Sequence, residues 1–508
     1  MSETRTLIKD SAIYGGSTIL VRSVNWLVTT LLTYALLQSE FGMMNYLYAY
    51  TALFLVVLTF GMETGFFRFA NQTDTYKVHT VYSTTLLLVG GIVILFLSVF
   101  LIFLPEIKPI LWDKEAPIVY IRLILIIVSL DAFSAIPFAY LRYQKRPVKF
   151  GALKILYVVL YVVFCVFFLV VCPWIHRHAP SSIDWFWREN FRLGYVFISN
   201  LLATSIQTLC LLSELTGFRY RFNAALAKKM FRYCFPLMLM GLAGMSNQVV
   251  DKFVFPAVYP NHANWSSELG VYTACFKIAM IMIMFTQAFR YAYEPFVFEK
   301  SREKDARQMY AKVMKYFVIL GLLVFLGVMF YLDIIKYLIN PKYFAALNIV
   351  PVVLIGELCF AVYFNLSIWY KLLDKTHWGT LLSVVGFVCI ISLNILFIPK
   401  YSYHACAWAV LVGNGIMMLL SYFIGQKYYP VRYDLKTIAF YAVLAASLFA
   451  VYSFVPIRNT WAHLGFNTGL IGIYIGAMLK RDLPLKMMLN HRGNRFSRGK
   501  SSTVTRIS

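Results

Sequence analysis

Charge is what this chain has least of. Asp, Glu, Lys and Arg make up 14% of its 508 residues, beside 60% hydrophobic residues and a mean hydropathy of +0.68. Soluble domains carry roughly 25%. The shortage excludes soluble enzymes and disordered scaffolds, and it points to a protein that spans a membrane many times. Catalytic signatures are missing too. No P-loop is present, so ATP is not the direct driver, and neither G-x-S-x-G nor H-E-x-x-H occurs. The eight cysteines (165, 172, 210, 234, 275, 359, 389 and 406) include no C-x-x-C pair and sit in or beside apolar runs. They act as small packing residues, which excludes a disulfide framework or cysteine metal site. His176 and His178 are too isolated for a metal, and no cofactor is expected. Acids are scarcer than bases, 23 against 47, for a formal net charge of +24. In so apolar a chain that excess first reports on which side of the bilayer each loop lies, and not on nucleic acid.

Apolar runs between charged or Pro/Gly-containing breaks predict fourteen helices: 11–37, 43–66, 80–104, 118–141, 151–172, 193–213, 234–259, 269–291, 316–332, 345–369, 379–398, 404–424, 437–456 and 461–477. The first lacks a small-residue cleavage site and reads as an anchor, not a removed signal peptide. With the N-terminus cytoplasmic, 32 Lys and Arg fall on the cytoplasmic side and nine on the other. The positive-inside rule therefore predicts cytoplasmic termini, which an even helix count also requires. The run Arg142, Lys145, Arg146, Lys149 lies inside, and the segment from Pro173 to Arg192 lies outside.

Self-comparison reveals a repeat. Gly16 falls on Gly244, Phe41-Gly42 on Leu269-Gly270, and Gly151 on Gly379, each 228 residues apart. A unit of six helices re-enters the membrane with the same polarity, which predicts two parallel pseudo-symmetric bundles around a central cavity. The expected fold is thus an all-α polytopic membrane protein. Its order is a bundle at 1–216, a basic cytoplasmic linker at 217–233, a second bundle at 234–426, a helix pair at 437–480 and a basic tail at 481–508.

The chain resembles a known family at several points. These are Tyr14-Gly15-Gly16, Phe41-Gly42, Asn247-Gln248-x-x-Asp251-Lys252-Phe253, Leu269-Gly270-x-Tyr272, and the stretch from Gln287-Ala288-Phe289 to Glu294-Pro295-Phe296. Together they resemble the polysaccharide-flippase (Wzx-like) branch of the multidrug/oligosaccharidyl-lipid/polysaccharide (MOP) transporter superfamily. The resemblance implies a flippase in the bacterial cytoplasmic membrane that moves a polyprenyl-diphosphate-linked oligosaccharide outward for surface polysaccharide or lipopolysaccharide synthesis. Implied partners are the lipid-linked glycan, the bilayer, and polymerase and glycosyltransferases.

Charges within spans are costly and so mark candidate sites. Arg22, with Asn25 one turn on, is a candidate phosphate ligand, because guanidinium matches phosphate oxygens bidentately; pairing with an acid elsewhere is its structural alternative. Asn247, Gln248 and Asp251 share one stripe, with Lys252 beside them and Lys277 in the next helix. They form either a diphosphate-binding lattice with Asp251 as counter-ion or switch, or a packing pair of Asp251 with Lys252 or Lys277. Asp131 and Glu357 lie mid-span in corresponding helices. Either carries a coupling ion, since burial disfavours a lone carboxylate charge, or neutralises a cavity base. Arg68, Arg290, Arg122 and Lys154 lie near span ends, where snorkelling is the default, and Arg68 and Arg290 are candidates for the cytoplasmic mouth. Trp174, Trp185, Phe186 and Trp187 fit either sugar stacking or interfacial anchoring, with anchoring the better account. Two rivals remain: a drug or organic-cation antiporter of the same superfamily, disfavoured by the intramembrane bases, and a polytopic polysaccharide polymerase, disfavoured by the short outer loops.

Overall fold

In a bilayer every backbone N–H and C=O must find its partner within the protein, so an apolar chain crosses it as helices. The computed structural model describes residues 20–482 apart from residues 22, 73–76, 217–218, 301–304, 374, 376 and 456–458. Arg22 and the tail beyond residue 482 thus lie outside the described residues, as does Gly16. Helix α1 is described over 20–35. There follow α2 Gln38–Thr59, α3 Met62–Ala70, α4 Val78–Ile102, α5 Leu104–Leu111, α6 Ile118–Tyr143, α7 Pro147–Val166, α8 Cys172–His178 and α9 Arg192–Leu211. Then come α10 Ala224–Val258, α11 Trp265–Lys300, α12 Ala306–Phe330, α13 Leu332–Ile335, α14 Val350–Leu366, α15 Ile368–Leu372, α16 His377–Tyr401, α17 Tyr403–Tyr428, α18 Leu435–Phe454 and α19 Thr460–Arg481.

Among the described residues twelve helices are long and apolar enough to cross a membrane. The expectation of fourteen exceeds this by α1, described only in part, and α10, whose apolar run is diluted by Asn247, Gln248, Asp251 and Lys252. The protein is a multi-pass all-helical membrane protein. Helix α10 also begins earlier than expected: the Asn223 side chain accepts from the Leu226 N–H at 3.0 Å, a regular N-cap, so much of the basic 217–233 segment is helix.

The chain divides into two compact units, Met1–Arg302 with Lys336–Pro430, and Glu303–Ile335 with Val431–Ser508. In the second unit α12 packs with α18 and α19. Phe325 and Phe449 meet at 5.4 Å, the Tyr474 hydroxyl donates to the Ile319 carbonyl at 2.9 Å, and Lys315 bonds Asp482 at 2.7 Å. Tyr441 adds a second donor to Asp482 at 2.8 Å. The sequence had counted this helix with the preceding bundle.

In the first unit the repeat acquires a physical meaning. A Cβ on Gly42 would stand 1.7 Å from the Ser266 carbonyl oxygen, and one on Gly270 would stand 2.1 Å from that of Gln38. The two repeat-related glycines therefore let α2 and α11 cross backbone to backbone. Gln38 fixes the crossing, donating to the Lys342 carbonyl at 2.7 Å and accepting from Ser267 at 3.3 Å. At its other end the second span breaks at Phe60 and Gly61, both left-handed with φ 52° and 67°. Phe60 tolerates that conformation because its ring stacks on Phe231 of α10 at 4.3 Å. A Cβ at Gly65 would meet the Cys234 sulfur at 2.4 Å. The second span thus touches α11 at one end and α10 at the other.

Candidate functional site

Helix α10 presents Asn247, Gln248 and Asp251 on one stripe to a cavity of about 140 Å³. Its remaining walls come from α11 (Phe276, Thr286, Gln287, Arg290), α14 (Glu357, Phe360, Phe364) and α17 (Asn414). All four helices lie in the second half of the chain, so the lining of this cavity does not come from both halves.

Asp251, only 3% exposed, is heavily bonded. Its carboxylate accepts from the Lys252 ammonium at 3.0 and 3.3 Å, from the Lys252 N–H at 2.9 Å and from the Tyr272 hydroxyl at 2.8 Å. The ammonium also donates to the Gln248 carbonyl at 3.3 Å. Removing two charges from water costs several kcal/mol each, and only such additional hydrogen bonds make the pair tolerable. Asn247 donates to the Ser383 carbonyl at 2.9 Å, while its side-chain amide oxygen is buried without a partner among the described residues. Asn414 is fixed by donation to the Gly356 carbonyl at 3.1 Å. The Arg290 guanidinium lies over the Phe364 ring at 3.5 Å, which positions it in the cavity wall. Glu357 differs from Asp251: among the described residues it makes no hydrogen bond or ion pair, and the lysine whose charge reaches it, Lys252, is already bonded to Asp251. The cavity therefore combines a locked ion pair, a guanidinium on an aromatic face, several amides and one uncommitted carboxylate. Such a site can hold a polar or ionic group inside a bilayer and can gain or lose a charge at Glu357.

Five of the residues singled out from sequence converge here: Asn247, Gln248, Asp251, Arg290 and Glu357. Lys252 borders them as Asp251's ion-pair partner. Lys277 forms no ion pair among the described residues; its carbonyl accepts from the Trp26 indole at 2.7 Å. Arg68 lies elsewhere, 4.1 Å above the Tyr233 ring. Asn25 on α1 has a buried side-chain amide oxygen without a hydrogen-bond partner among the described residues. Asp131 sits in the first half beside Thr204 and Lys154. Lys154 does not simply snorkel, for its ammonium lies over Phe138 at 4.0 Å. Around them Asn200 accepts from Tyr157 and donates to Tyr48, each at 3.0 Å. Tyr272, Thr286, Gln287 and Asn414 had been given no role. The available signal was polarity within an apolar run, which a search for charges passes over.

Comparison with known proteins places this geometry in context. A profile described as "Polysaccharide biosynthesis protein" matches residues 7–292, and the MatE profile matches residues 262–396. No curated protein matches the chain. Among solved structures, the lipid II flippase MurJ in an inward closed conformation superposes with a TM-score of 0.72 at 12% identity, covering 92% of this chain and 99% of that one. An inward-facing multidrug-resistance MATE family transporter of the MOP superfamily gives 0.59 at 13% identity, covering 83% and 93%. A MOP superfamily transporter from Pyrococcus furiosus gives 0.54 at 13%, covering 82% and 95%. The fold is that of the MOP superfamily, and with a family profile matching more than half of its length the chain belongs to the polysaccharide biosynthesis protein family.

Proposed function

We propose that the protein is a flippase that carries a polyprenyl-diphosphate-linked oligosaccharide from the inner to the outer leaflet of the bacterial cytoplasmic membrane by alternating access. One observation carries this reading beyond family and fold: a polar cavity inside an otherwise apolar helical bundle, with a guanidinium and an uncommitted carboxylate in its wall. Arg290, with Lys252, Lys277, Arg22, Asn25 and Arg68 along the route, supplies cationic and polar partners for the diphosphate. Asn247 and Gln248 offer amides to sugar hydroxyls. Among the coupling candidates Asp251, Asp131 and Glu357, the last has the fewest commitments. Both termini are cytoplasmic on this reading, bundles at 1–216 and 234–426 rock about the second span, and polymerase and glycosyltransferases flank the transport step.

The test is flipping of a fluorescent polyprenyl-diphosphate oligosaccharide in proteoliposomes. Arg290→Gln is expected to lower the rate at least tenfold, about the effect of one charge-assisted hydrogen bond, with Arg290→Lys partly restoring it. Wild-type flipping no faster than protein-free vesicles overturns the proposal. The MatE match and the two cavity acids support one alternative, an organic-cation antiporter. Proton-driven uptake of such a cation, without lipid flipping, would establish it.

A further inference from the structure

A second pocket lies at the end of the first unit opposite the basic Arg142–Lys149 loop. Helix α7 continues through a π-helical turn, Phe167–Val171, into α8, a run of 32 residues. Crossing a bilayer takes about 20 residues, so roughly 18 Å of helix is left over at 1.5 Å per residue. The following loop folds back on this extension. The Trp187 indole donates to the Phe168 carbonyl at 3.1 Å, and Tyr195 accepts from the Arg188 N–H at 2.7 Å and donates to the Phe186 carbonyl at 3.2 Å. Phe168 and Tyr195 stack at 5.1 Å. These bonds make a fixed scaffold out of what the sequence presents as a loop, and they border a pocket of about 220 Å³.

Its lining includes Phe168, Trp187, His176, Arg177, Glu189 and Arg192. The charges there are not equivalent. The His176 Nδ1–H donates to Asp184 at 2.9 Å and Arg192 to Glu189 at 2.5 Å, whereas Arg177 makes no ion pair among the described residues. The pocket therefore offers one uncommitted guanidinium, one carboxylate and an apolar wall. Exposed Trp174 and Trp185 flank it as interfacial anchors do.

We propose that this pocket binds an acidic saccharide. Arg177 pairs with the sugar carboxylate, Glu189 accepts from ring hydroxyls, and Phe168, Leu169 and Pro173 cover an apolar face of the pyranose. A bare phosphate headgroup would gain from Arg177, yet it would leave the hydroxyl acceptor at Glu189 and the apolar wall unused. On the flippase reading, which this inference uses for its role, the pocket lies on the outer side and receives the glycan as it leaves the transport route.

The test needs no transport and no lipid carrier, so it fails or succeeds independently of the flippase assay. Full-length protein in zwitterionic nanodiscs is titrated with a glucuronate-containing tetrasaccharide and with its carboxyl-reduced counterpart, read by calorimetry and tryptophan fluorescence. Expected is saturable binding of the acidic sugar, at least about tenfold weaker binding of the reduced one, and a similar loss in Arg177→Gln with partial recovery in Arg177→Lys. Arg177 is exposed, and Arg177→Gln melting at the wild-type temperature separates lost binding from lost fold. The proposal is overturned by equal binding of both sugars, by an unchanged affinity in Arg177→Gln, by no binding at millimolar sugar, or by full displacement with short-chain phosphatidylglycerol, which would mark a lipid-headgroup site.

Discussion

Replacing Gly42 by Ala tests whether the α2–α11 crossing holds one end of the protein shut. The added Cβ would lie 1.7 Å from the Ser266 carbonyl oxygen and 2.7 Å from the Gly270 nitrogen, both backbone atoms that no rotamer change can move. Relaxed contacts need about 3.5 Å, so the helices must part by well over 1 Å. Overpacking of this kind costs about 1–3 kcal/mol, and a backbone obstacle belongs at the upper end, near 3. Ala recovers up to about 1 kcal/mol of helix propensity, leaving a net loss of about 2. If the crossing exists only while this end is closed, that loss shifts the closed–open ratio roughly 30-fold toward open. The assay is labelling of a single cysteine at Ser267, which borders the crossing, by a membrane-impermeant maleimide, together with thermal unfolding. Gly42→Ala is expected to label faster and melt lower. Gly244→Ala, with nothing within 4 Å of its Cβ, is expected to melt at or above wild type. Gly42→Ala with Gly270→Ala is expected to be less than additive, since helices already parted admit the second methyl. Identical melting and labelling of Gly42→Ala and Gly244→Ala would refute the reasoning.

Other expectations follow from single contacts. Tyr272→Phe removes a 2.8 Å bond to a buried carboxylate and is expected to cost about 1.5–3 kcal/mol, read by thermal unfolding; an unchanged melt would mean Asp251 does not need that donor. Asp482→Ala leaves Lys315, among the described residues, with Asp434 at 4.0 Å as its remaining acid and is expected to lower the melting temperature, while Lys315→Met with Asp482→Leu recovers most of the loss; failure of that pair to recover would assign the effect to Tyr441 instead. In intact cells a single cysteine at Gln144 is expected to resist external maleimide and one at Trp185 to react; the reverse pattern would invert the topology.

Helix number and order were legible because a bilayer imposes a length and an apolar composition on each span, and loops break both. Helix ends were less so. Asn223 caps α10 within a segment that by charge reads as linker, and the left-handed pair at Phe60 and Gly61 is held by Phe231, a residue remote in sequence. Even where the repeat was visible, its markers differed in meaning. Gly42 and Gly270 permit a backbone contact, whereas Gly244 faces open space. At the site, periodicity placed Asn247, Gln248 and Asp251 on one stripe. Which cation each acid takes depends on helix packing, and no spacing rule encodes it.

That assignment of cations to acids decides where a coupling ion would act. Asp131 lies beside the Thr204 hydroxyl and within the field of Lys154, which forms no ion pair among the described residues and sits over Phe138. Asp251 is fully bonded to Lys252 and Tyr272. Glu357 faces the cavity, and the lysine whose charge reaches it is already bonded to Asp251. The three acids should therefore respond differently to loss of charge. Asp251→Asn strands Lys252 in the bilayer and is expected to lower stability by a few kcal/mol. Asp131→Asn, with Lys154 held over Phe138 and in no ion pair among the described residues, is expected to cost less. Glu357→Gln strands nothing and is expected to melt near wild type, while flipping in proteoliposomes loses its response to a proton or sodium gradient. Stable protein with an undiminished response to both gradients would exclude Glu357 as the coupling group. The gradient, if one is used, would then act through an acid whose present partner must first let go.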